Sequence, residues 1–339
     1  MKRPATLKDI AEYLGVSTAT VSRGLARDPR VTESTQRRVW EAAKTLDYRP
    51  NVIARSLRTK KTGVVLLVVR DIKNSFYLDV MVGVEAAARE ANYSVLMCNC
   101  ENDSALVSTY LEMLKDGRAD GMILMTGKLP QSVAEDPQLA QMPIVLALEA
   151  IENCSLPLVQ IDNVAAGMKA VQHLIDLGHE RIAHVRGPEG ELMSQRRLIG
   201  YRQAMQQAGL PVLPDYEQAG TFELHSAEHA CRVLMALDTP PTAIFFANDE
   251  MAAGAIKLLR RMGYAIPEDI SLVGFDNTFW CEVSDPGLTT VDQPRFQVGQ
   301  EAFGLLHSTL SGEEGGEKTI VLPTELYVRE STTSPKSKK

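Results

Sequence analysis

The chain has 339 residues, of which 45% are hydrophobic, and a formal net charge of −7. This length predicts two or three domains with sizeable cores. The longest apolar runs fall short of the roughly 18 residues that a membrane span needs, so a membrane protein is excluded. The five cysteines are scattered and odd in number, which excludes a disulfide framework and fits a reducing cytoplasm.

The charge is distributed unevenly along the chain. Residues 1–62 contain 14 Lys and Arg against 6 Asp and Glu, a net charge of +8, so the remainder carries −15. A basic first segment on an acidic body indicates nucleic-acid contact by that segment. The first ten residues lack the apolar core of a secretory signal, and we expect a cytoplasmic, nucleoid-associated protein.

Three short helices are predicted within the first fifty residues. Thr6 caps the first helix with Asp9 at its third position, and Gly15 permits a tight turn. Ser17 caps the second helix and Thr32 the third. The inward apolar positions are Ile10, Ala11, Leu14, Val21, Leu25, Val39, Ala42, Ala43 and Leu46. Short helices around a glycine-containing turn predict an all-α helix-turn-helix headpiece over residues 1–50.

Residues 51–61 are predicted to form a hinge helix or linker, with Asn51 as its cap. So short a helix is marginal alone in water, and we expect it to order only when something packs against it.

From residue 62 the pattern changes to alternating strands and helices. The segment 63–69 is apolar throughout, as buried parallel strands are, and further strands are predicted near 94–98, 121–126, 144–148 and 158–161. The repetition predicts parallel sheets covered by helices. A core of residues 62–331 is too large for one lobe, so we expect two α/β lobes, with a ligand beyond the carboxyl ends of their strands.

We place the first lobe at about 62–162 plus 293–325 and the second at about 163–292. The polar, basic segment 332–339 is predicted to be a disordered tail.

Six segments, in order along residues 5–330, resemble the lactose/galactose repressor family of bacterial transcription regulators. They are TLKDIAEYLGVSTATVSRGL (6–25), YRPNVIARSL (48–57), GVVLLVVRDIKNSFY (63–77), FFANDEMAAGA (245–255), DISLVGFDN (269–277) and DPGLTTVDQP (285–294). The resemblance implies a DNA-binding headpiece, a hinge helix, a core like periplasmic sugar-binding proteins, and dimers on palindromic operators. Within the family, LPLVQIDN (156–163), GPE (187–189) and FDN with DPGLTTVDQPRFQVGQEA (275–302) are most similar to the cytidine, or nucleoside, repressor subgroup.

The resemblance assigns base contacts to Thr18, Ala19 and Arg23 of the second helix. Arg23 is the residue best able to bond guanine in a bidentate way, whereas Thr18 could also be an ordinary helix-start residue. Other positions of the headpiece and hinge are expected to contact phosphates or cap helices, namely Thr6, Ser17, Thr20, Ser22 and Asn51.

The hinge positions implied by the resemblance are Arg55 and Leu57. Leu57 lies in a polar stretch between Arg55 and Arg58, where it would be a wedge inserted into the minor groove, with the two arginines flanking the groove. The alternative is that Leu57 docks onto the core.

The resemblance also places effector-binding residues at strand ends: Phe76, Tyr77, Asp162, Arg197, Phe222, Asn248, Asp276 and Gln293. Aromatic rings offer flat apolar faces, and Arg197 with Asp276 offers a donor and an acceptor for neighbouring hydroxyls. Arg197 could instead form a surface ion pair, Asp276 could be a turn residue, and Tyr77 could simply pack.

These features predict a ligand-controlled, DNA-binding repressor rather than an enzyme. His225 and His229 match the H-x-x-E-H zinc pattern, but they lie opposite the apolar stripe of their helix and are expected to be surface residues. We expect neither metal nor cofactor. The effector is predicted to be a nucleoside such as cytidine or, alternatively, a sugar. A solute-binding protein, the rival class, would carry a signal peptide instead of a basic headpiece.

Overall fold

The computed structural model describes Arg3 and residues 5–48, 61–101, 103–130, 139–151, 154–313 and 318–336. The chain divides into two compact units, Met1–Thr62 and Gly63–Lys339. Residues 51–60 of the predicted hinge, with Asn51, Arg55 and Leu57, lie outside the described residues.

The smaller unit is a three-helix domain. Its helices are α1 (Leu7–Leu14), α2 (Thr18–Leu25) and α3 (Glu33–Thr45). Thr6 and Asp9 form a reciprocal cap on α1, since the Asp9 carboxylate accepts from the Thr6 amide at 2.8 Å and the Thr6 hydroxyl accepts from the Asp9 amide at 3.4 Å. The helices close around a small core of Ile10, Ala11, Val21, Val39, Ala42 and Ala43.

The larger unit contains two six-stranded sheets covered by helices, as predicted. Its strands are β1 (Val64–Val69), β2 (Ser94–Asn99), β3 (Gly121–Met125), β4 (Ile144–Ala147), β5 (Leu158–Ile161), β6 (Ile182–Val185), β7 (Glu217–Gln218), β8 (Ala243–Phe246), β9 (Ser271–Asp276), β10 (Thr289–Asp292), β11 (Thr319–Leu322) and β12 (Glu325–Tyr327). The first sheet has the order β11-β5-β4-β3-β1-β2 and the second β12-β10-β9-β8-β6-β7. All paired strands are parallel except β10 and β12, so the predicted fold class is confirmed.

Helices fill the connections between strands. They are α4 (Tyr77–Glu90), α5 (Ser104–Lys115), α6 (Asn163–Asp176), α7 (Leu192–Gln207), α8 (Leu224–Met235), α9 (Asp249–Arg261), α10 (Trp280–Val283) and α11 (Arg295–Ser311). None of the described helices is both long and apolar enough to cross a bilayer.

The segment after β12 corrects the prediction of a disordered tail. Ser331 is fully buried, and its hydroxyl donates to the Leu272 carbonyl at 2.7 Å. The Thr333 amide donates to the Ser271 hydroxyl at 3.0 Å, and Lys336 pairs with Asp269 at 2.5 Å. Composition alone suggested disorder, but the backbone of this segment forms hydrogen bonds with β9. The Leu272 amide donates to the Ser331 carbonyl, in addition to the bond from the Thr333 amide. Residues 337–339 lie outside the described part of the chain.

Two helices approach closely at glycine and so fix the position of one predicted site residue. A Cβ atom on Gly200 of α7 would lie 2.3 Å from the Val164 carbonyl oxygen of α6, and one on Gly167 would lie 2.7 Å from the Arg197 carbonyl oxygen. The atoms that these Cβ atoms would meet belong to the backbone, which cannot move aside as the end of a flexible side chain can. The contact therefore sets where α7 presents Arg197.

We expect Gly200→Ala to lower the free energy of unfolding by about 1–3 kcal/mol, because the added methyl group overpacks the α6–α7 contact. Gly304→Ala in the exposed face of α11 is the matched control, since a Cβ atom there meets nothing within 4 Å. This substitution should raise the free energy of unfolding by about 0.4–1 kcal/mol, because alanine lowers the conformational entropy of the unfolded chain. Denaturant unfolding measures both, and equal midpoints for the two variants would contradict the packing argument.

Candidate functional site

Helix α2 presents a polar face to solvent. Ser17 caps the helix by accepting from the Thr20 amide at 3.1 Å, which fixes where the helix begins. Val21 and Gly24 are buried, whereas Thr18, Ala19 and Arg23 are exposed. The three residues predicted to contact bases therefore lie on the side of α2 that the domain core leaves open. Ser22 is half-buried beside them, and Thr6 is occupied in capping α1.

The larger unit contains a cavity of about 320 Å³ where loops from both sheets meet. It is lined by Arg70, Asp71, Lys73, Asn74, Phe76, Tyr77, Met193, Arg197, Thr221, Phe222, Glu223, Asn248, Glu250 and Asp276. Arg70 and Asp71 follow β1, and Asp276 ends β9, so the cavity lies beyond the carboxyl ends of the strands, where parallel sheets bind ligands. Its volume is in the range of small-molecule sites.

Arg197 is the most constrained charged group in the cavity. Its side chain is buried, Nε donates to Asn163 Oδ1 at 2.9 Å, and Nη1 donates to the Ala247 carbonyl at 2.5 Å. The guanidinium lies over the Phe275 ring, 3.7 Å from its centroid, and Nη1 is 3.6 Å from Asp276 Oδ1. This excludes the surface ion pair considered from the sequence. Arg196 is the outward neighbour and donates to Gln160 at 3.0 Å.

Asp276 sits at the end of β9 with a positive φ of 109°, a conformation that costs energy for a non-glycine residue. Gln293 donates to its Oδ1 at 2.6 Å. Burial raises the pKa of Asp276 to about 7, although the neighbouring Arg197 acts in the opposite direction. A hydrogen-bond donor on a bound ligand would stabilise the charged form, so this carboxyl is suited to receive ligand hydroxyls.

Asp249, which the sequence analysis missed, supports the loop that follows Asp276. It is fully buried and accepts from the Thr278 amide at 2.7 Å, the Thr278 hydroxyl at 3.0 Å and the Thr290 hydroxyl at 2.6 Å. Its acceptor capacity is thus taken up inside the protein. One feature of the sequence could have identified Asp249: it is an acidic residue that begins a helix just after a buried strand.

Aromatic residues form the apolar part of the cavity. Phe76 and Tyr77 meet edge to face, with ring centroids 5.2 Å apart and an interplanar angle of 75°. Phe222 has a φ of 68°, and Asn248 donates to its carbonyl at 2.9 Å while capping α9. Asn248 therefore both starts a helix and holds the loop that carries Phe222.

The structure brings most of the predicted effector residues together. Those that line the cavity are Phe76, Tyr77, Arg197, Phe222, Asn248 and Asp276. Gln293 lies behind Asp276 as its hydrogen-bond donor.

Asp162 is the exception, since it is not among the residues that line this cavity. It is exposed and caps α6 by accepting from the Val164 and Ala165 amides, both at 3.0 Å. Its neighbour Asn163 is buried and bonds Arg197 instead.

The H-x-x-E-H residues remain outside this site. The His225 side chain is 87% exposed, and its Nδ1 lies 3.8 Å from Glu228. Within the described residues, no three His, Cys, Asp or Glu side chains are arranged to hold a metal ion.

Comparison with known proteins matches both units. Residues 6–51 match the description "bacterial regulatory proteins, lacI family", and residues 171–332 match a periplasmic binding protein-like domain. The HTH-type transcriptional repressor CytR of Escherichia coli (strain K12) is 36% identical over 328 residues, covering 97% of this chain and 96% of that protein.

Two solved structures extend the comparison. One is the lac repressor dimer bound to operator and the anti-inducer ONPF, with a TM-score of 0.87 and 25% identity over 98% of this chain and 100% of that chain. The other is the transcriptional regulator CelR–cellobiose complex, with a TM-score of 0.71 and 31% identity over 97% of this chain and 100% of that chain. These relatives are transcription regulators, not enzymes.

Proposed function

Because the chain belongs to the lacI family of bacterial transcription repressors, we propose that it binds a near-palindromic operator as a homodimer and that a nucleoside, with cytidine favoured, controls this binding. Its family membership confirms the resemblance to the lactose/galactose repressors, with a cytidine repressor among its relatives. The observation that carries the effector proposal is the buried Arg197–Asp276 pair facing aromatic rings across one cavity. We also propose that the protein acts in the cytoplasm, at the nucleoid.

The DNA contacts of this proposal rest on the exposed face of α2. A helix of this kind enters the major groove with its first turns against the bases. Thr18 can bond a base edge or touch a thymine methyl group, Ala19 offers apolar contact, and Arg23 can bond guanine N7 and O6 together. The hinge residues Asn51, Arg55 and Leu57 complete the proposed interface.

We expect Arg23→Ala to weaken operator binding by about 1–3 kcal/mol and to relax the preference at one base position, because a bidentate contact is lost. Arg37→Ala on α3 removes the same charge from another exposed position and should leave the base preference unchanged. Selection of binding sites from a random DNA pool measures both. An unchanged preference in Arg23→Ala would mean that this side chain contacts only phosphate.

The dimer in this proposal is supported by an exposed apolar surface on the first lobe. β2 is the edge strand of the first sheet, and its Leu96 and Met97 are 44% and 46% exposed. Leu78 and Val82, one turn apart on α4, are 50% and 55% exposed. Large exposed apolar patches mark protein interfaces, and these four side chains lie on two elements of one lobe.

We expect the double variant Leu78→Asp, Val82→Asp to sediment as a monomer at concentrations where the wild type is a dimer, because buried carboxylates oppose association. Leu213→Asp places the same charge on an exposed residue outside this surface and should remain dimeric. Sedimentation of a monomer for the wild type on a full operator would refute the homodimer.

A nucleoside fits the two halves of the cavity. Phe76 and Phe222 offer flat faces for a base, and Arg197 with Asp276 offers a donor fork and an acceptor for two neighbouring ribose hydroxyls. A free sugar, the second candidate, could use the same polar pair, and the related CelR structure is a complex with cellobiose. A free purine base lacks the hydroxyls that the polar pair requires.

Calorimetry with cytidine, adenosine, ribose and a panel of hexoses distinguishes the candidates. We expect heat from nucleosides, and we expect Asp276→Ala to abolish it while ligand-free operator binding survives, since Asp276 belongs to the cavity and not to the headpiece. Asp285→Ala, whose carboxylate is 86% exposed in a surface ion pair, is the control that should still bind. Binding of a sugar without any nucleoside response would reject the nucleoside.

A further inference from the structure

The end of α2 places an acidic residue beside the arginine that is proposed to contact bases. The Asp28 amide donates to the Arg23 carbonyl at 3.0 Å, and the Arg27 amide donates to the Gly24 carbonyl at 3.2 Å. Arg27 between them has a positive φ of 53°. These two bonds around a left-handed residue form the Schellman motif that ends many helices. Asp28 is thereby tied to the backbone of Arg23.

The loop between α2 and α3 holds Asp28 in this position. Gln36 of α3 is half-buried, and its Nε2 donates to the Asp28 carbonyl at 3.0 Å and to the Val31 carbonyl at 2.9 Å. The Val31 amide also donates to the Asp28 carbonyl, at 3.0 Å. Because both the amide and the carbonyl of Asp28 are bonded, the backbone that carries its carboxylate has a fixed place next to the end of α2.

Arg30 occupies both oxygens of the Asp28 carboxylate. Its Nε donates to Oδ1 at 2.9 Å, its Nη2 donates to Oδ2 at 2.6 Å, and its amide donates to Oδ1 at 2.9 Å. A planar guanidinium matches a carboxylate in this forked geometry, which a single charge cannot do. The hydrogen bonds from the Arg30 side chain and amide hold the pKa of Asp28 well below its usual range, so this carboxylate is charged at neutral pH.

Arg23 is exposed and engaged by no other side chain. Within the described headpiece its guanidinium has no hydrogen-bond or ion-pair partner. Its charge nevertheless acts on the Asp28 carboxyl, which Arg30 already binds. Two arginines therefore lie within the influence of one carboxylate. An arginine bound to a carboxylate cannot present the same donors to guanine N7 and O6.

We propose that Arg30 is a positioning residue for DNA recognition, because it occupies the Asp28 carboxylate and so leaves Arg23 free to contact a base. The inference rests on the proposed base contact of Arg23 and extends it to the loop after α2. Without the Arg30 side chain, Asp28 would present a charged carboxylate next to Arg23. The base contact would then compete with an ion pair inside the protein.

The test measures base preference as the ratio of the affinities of the full-length protein for two DNA duplexes. One duplex is the site that the wild type selects from a random pool. The other is changed at the base pair where Arg23→Ala loses its preference. Arg30→Gln should lower this ratio by about two- to fivefold, the effect of one exposed ion pair. A weaker attraction to phosphates lowers both affinities alike and cancels in the ratio.

The double variant Asp28→Asn, Arg30→Gln separates positioning from a structural role. It has the net charge of the wild type and contains no carboxylate that could hold Arg23, so the ratio should return to the wild-type value. A structural role of the Asp28–Arg30 pair predicts a low ratio, since the double variant lacks the pair as well. Asp28→Asn alone should also keep the wild-type ratio.

Arg37→Gln is the matched control, because it removes the same charge from an exposed position of α3 and should leave the ratio unchanged. Thermal melting establishes that each variant is folded. If Arg30→Gln is not, the single variant Asp28→Asn still decides, because a lowered ratio there would mean that Asp28 supports the base contact and would overturn the proposal.

The outcomes separate this inference from the proposed function. An unchanged ratio in folded Arg30→Gln overturns the positioning role, and equal weakening on both duplexes would make Arg30 a phosphate contact. A ratio that stays low in the double variant also overturns it. If Arg23→Ala keeps every base preference, the proposed base contact fails and the role of Arg30 fails with it. If the wild type selects no site, the proposed function itself is refuted.

Discussion

The cavity depends on the interactions that hold the buried guanidinium of Arg197. Removing a charge from water costs several kcal/mol unless partners replace the lost hydration. Here the partners come from separate elements: Asn163 at the start of α6, the Ala247 carbonyl after β8, and Asp276 at the end of β9. The positions of these elements relative to α7 are thereby coupled, and a change at any one of them leaves a buried charge short of a partner.

The acidic groups around this arginine differ in how much acceptor capacity they have left. Asp249 receives three hydrogen bonds and serves the fold. Asp276 receives one from Gln293 and lies beyond hydrogen-bond distance of Arg197. Glu149 receives one, on one oxygen. Of these three carboxyls, Asp276 and Glu149 border separate cavities, whereas Asp249, which receives the most hydrogen bonds, does not line either cavity.

Much of this arrangement followed from the sequence because local chemistry dictates it. The cap at Thr6, the turn at Gly15 and the apolar strands predicted the fold class that the structure shows, and the resemblance named Phe76, Arg197 and Asp276, which line one cavity. Whether Arg197 is buried or forms a surface ion pair required the structure, because a solvated arginine and a buried one have the same sequence signature.

Other features lay beyond the reach of sequence reasoning. Asp162 and Asn163 are neighbours, and only the direction of the backbone entering α6 decides which side chain reaches Arg197. Arg70, Glu149 and Glu191 are far apart along the chain and meet only through the folding of two sheets. Thr333 belongs to the segment predicted as a tail, but its amide donates to the Ser271 hydroxyl of β9, beside the bond from the Ser331 hydroxyl to the Leu272 carbonyl.

The order in which the chain contributes its last strands has a consequence for biosynthesis. β11 belongs to the first sheet and β12 to the second, although only two residues separate them. Both sheets therefore lack an edge strand until the last part of the chain has been translated, even though most of the first lobe is made much earlier. A nascent chain still held at its carboxyl end has two incomplete lobes at once, and a premature stop before residue 319 would impair both lobes together instead of sparing the one made first.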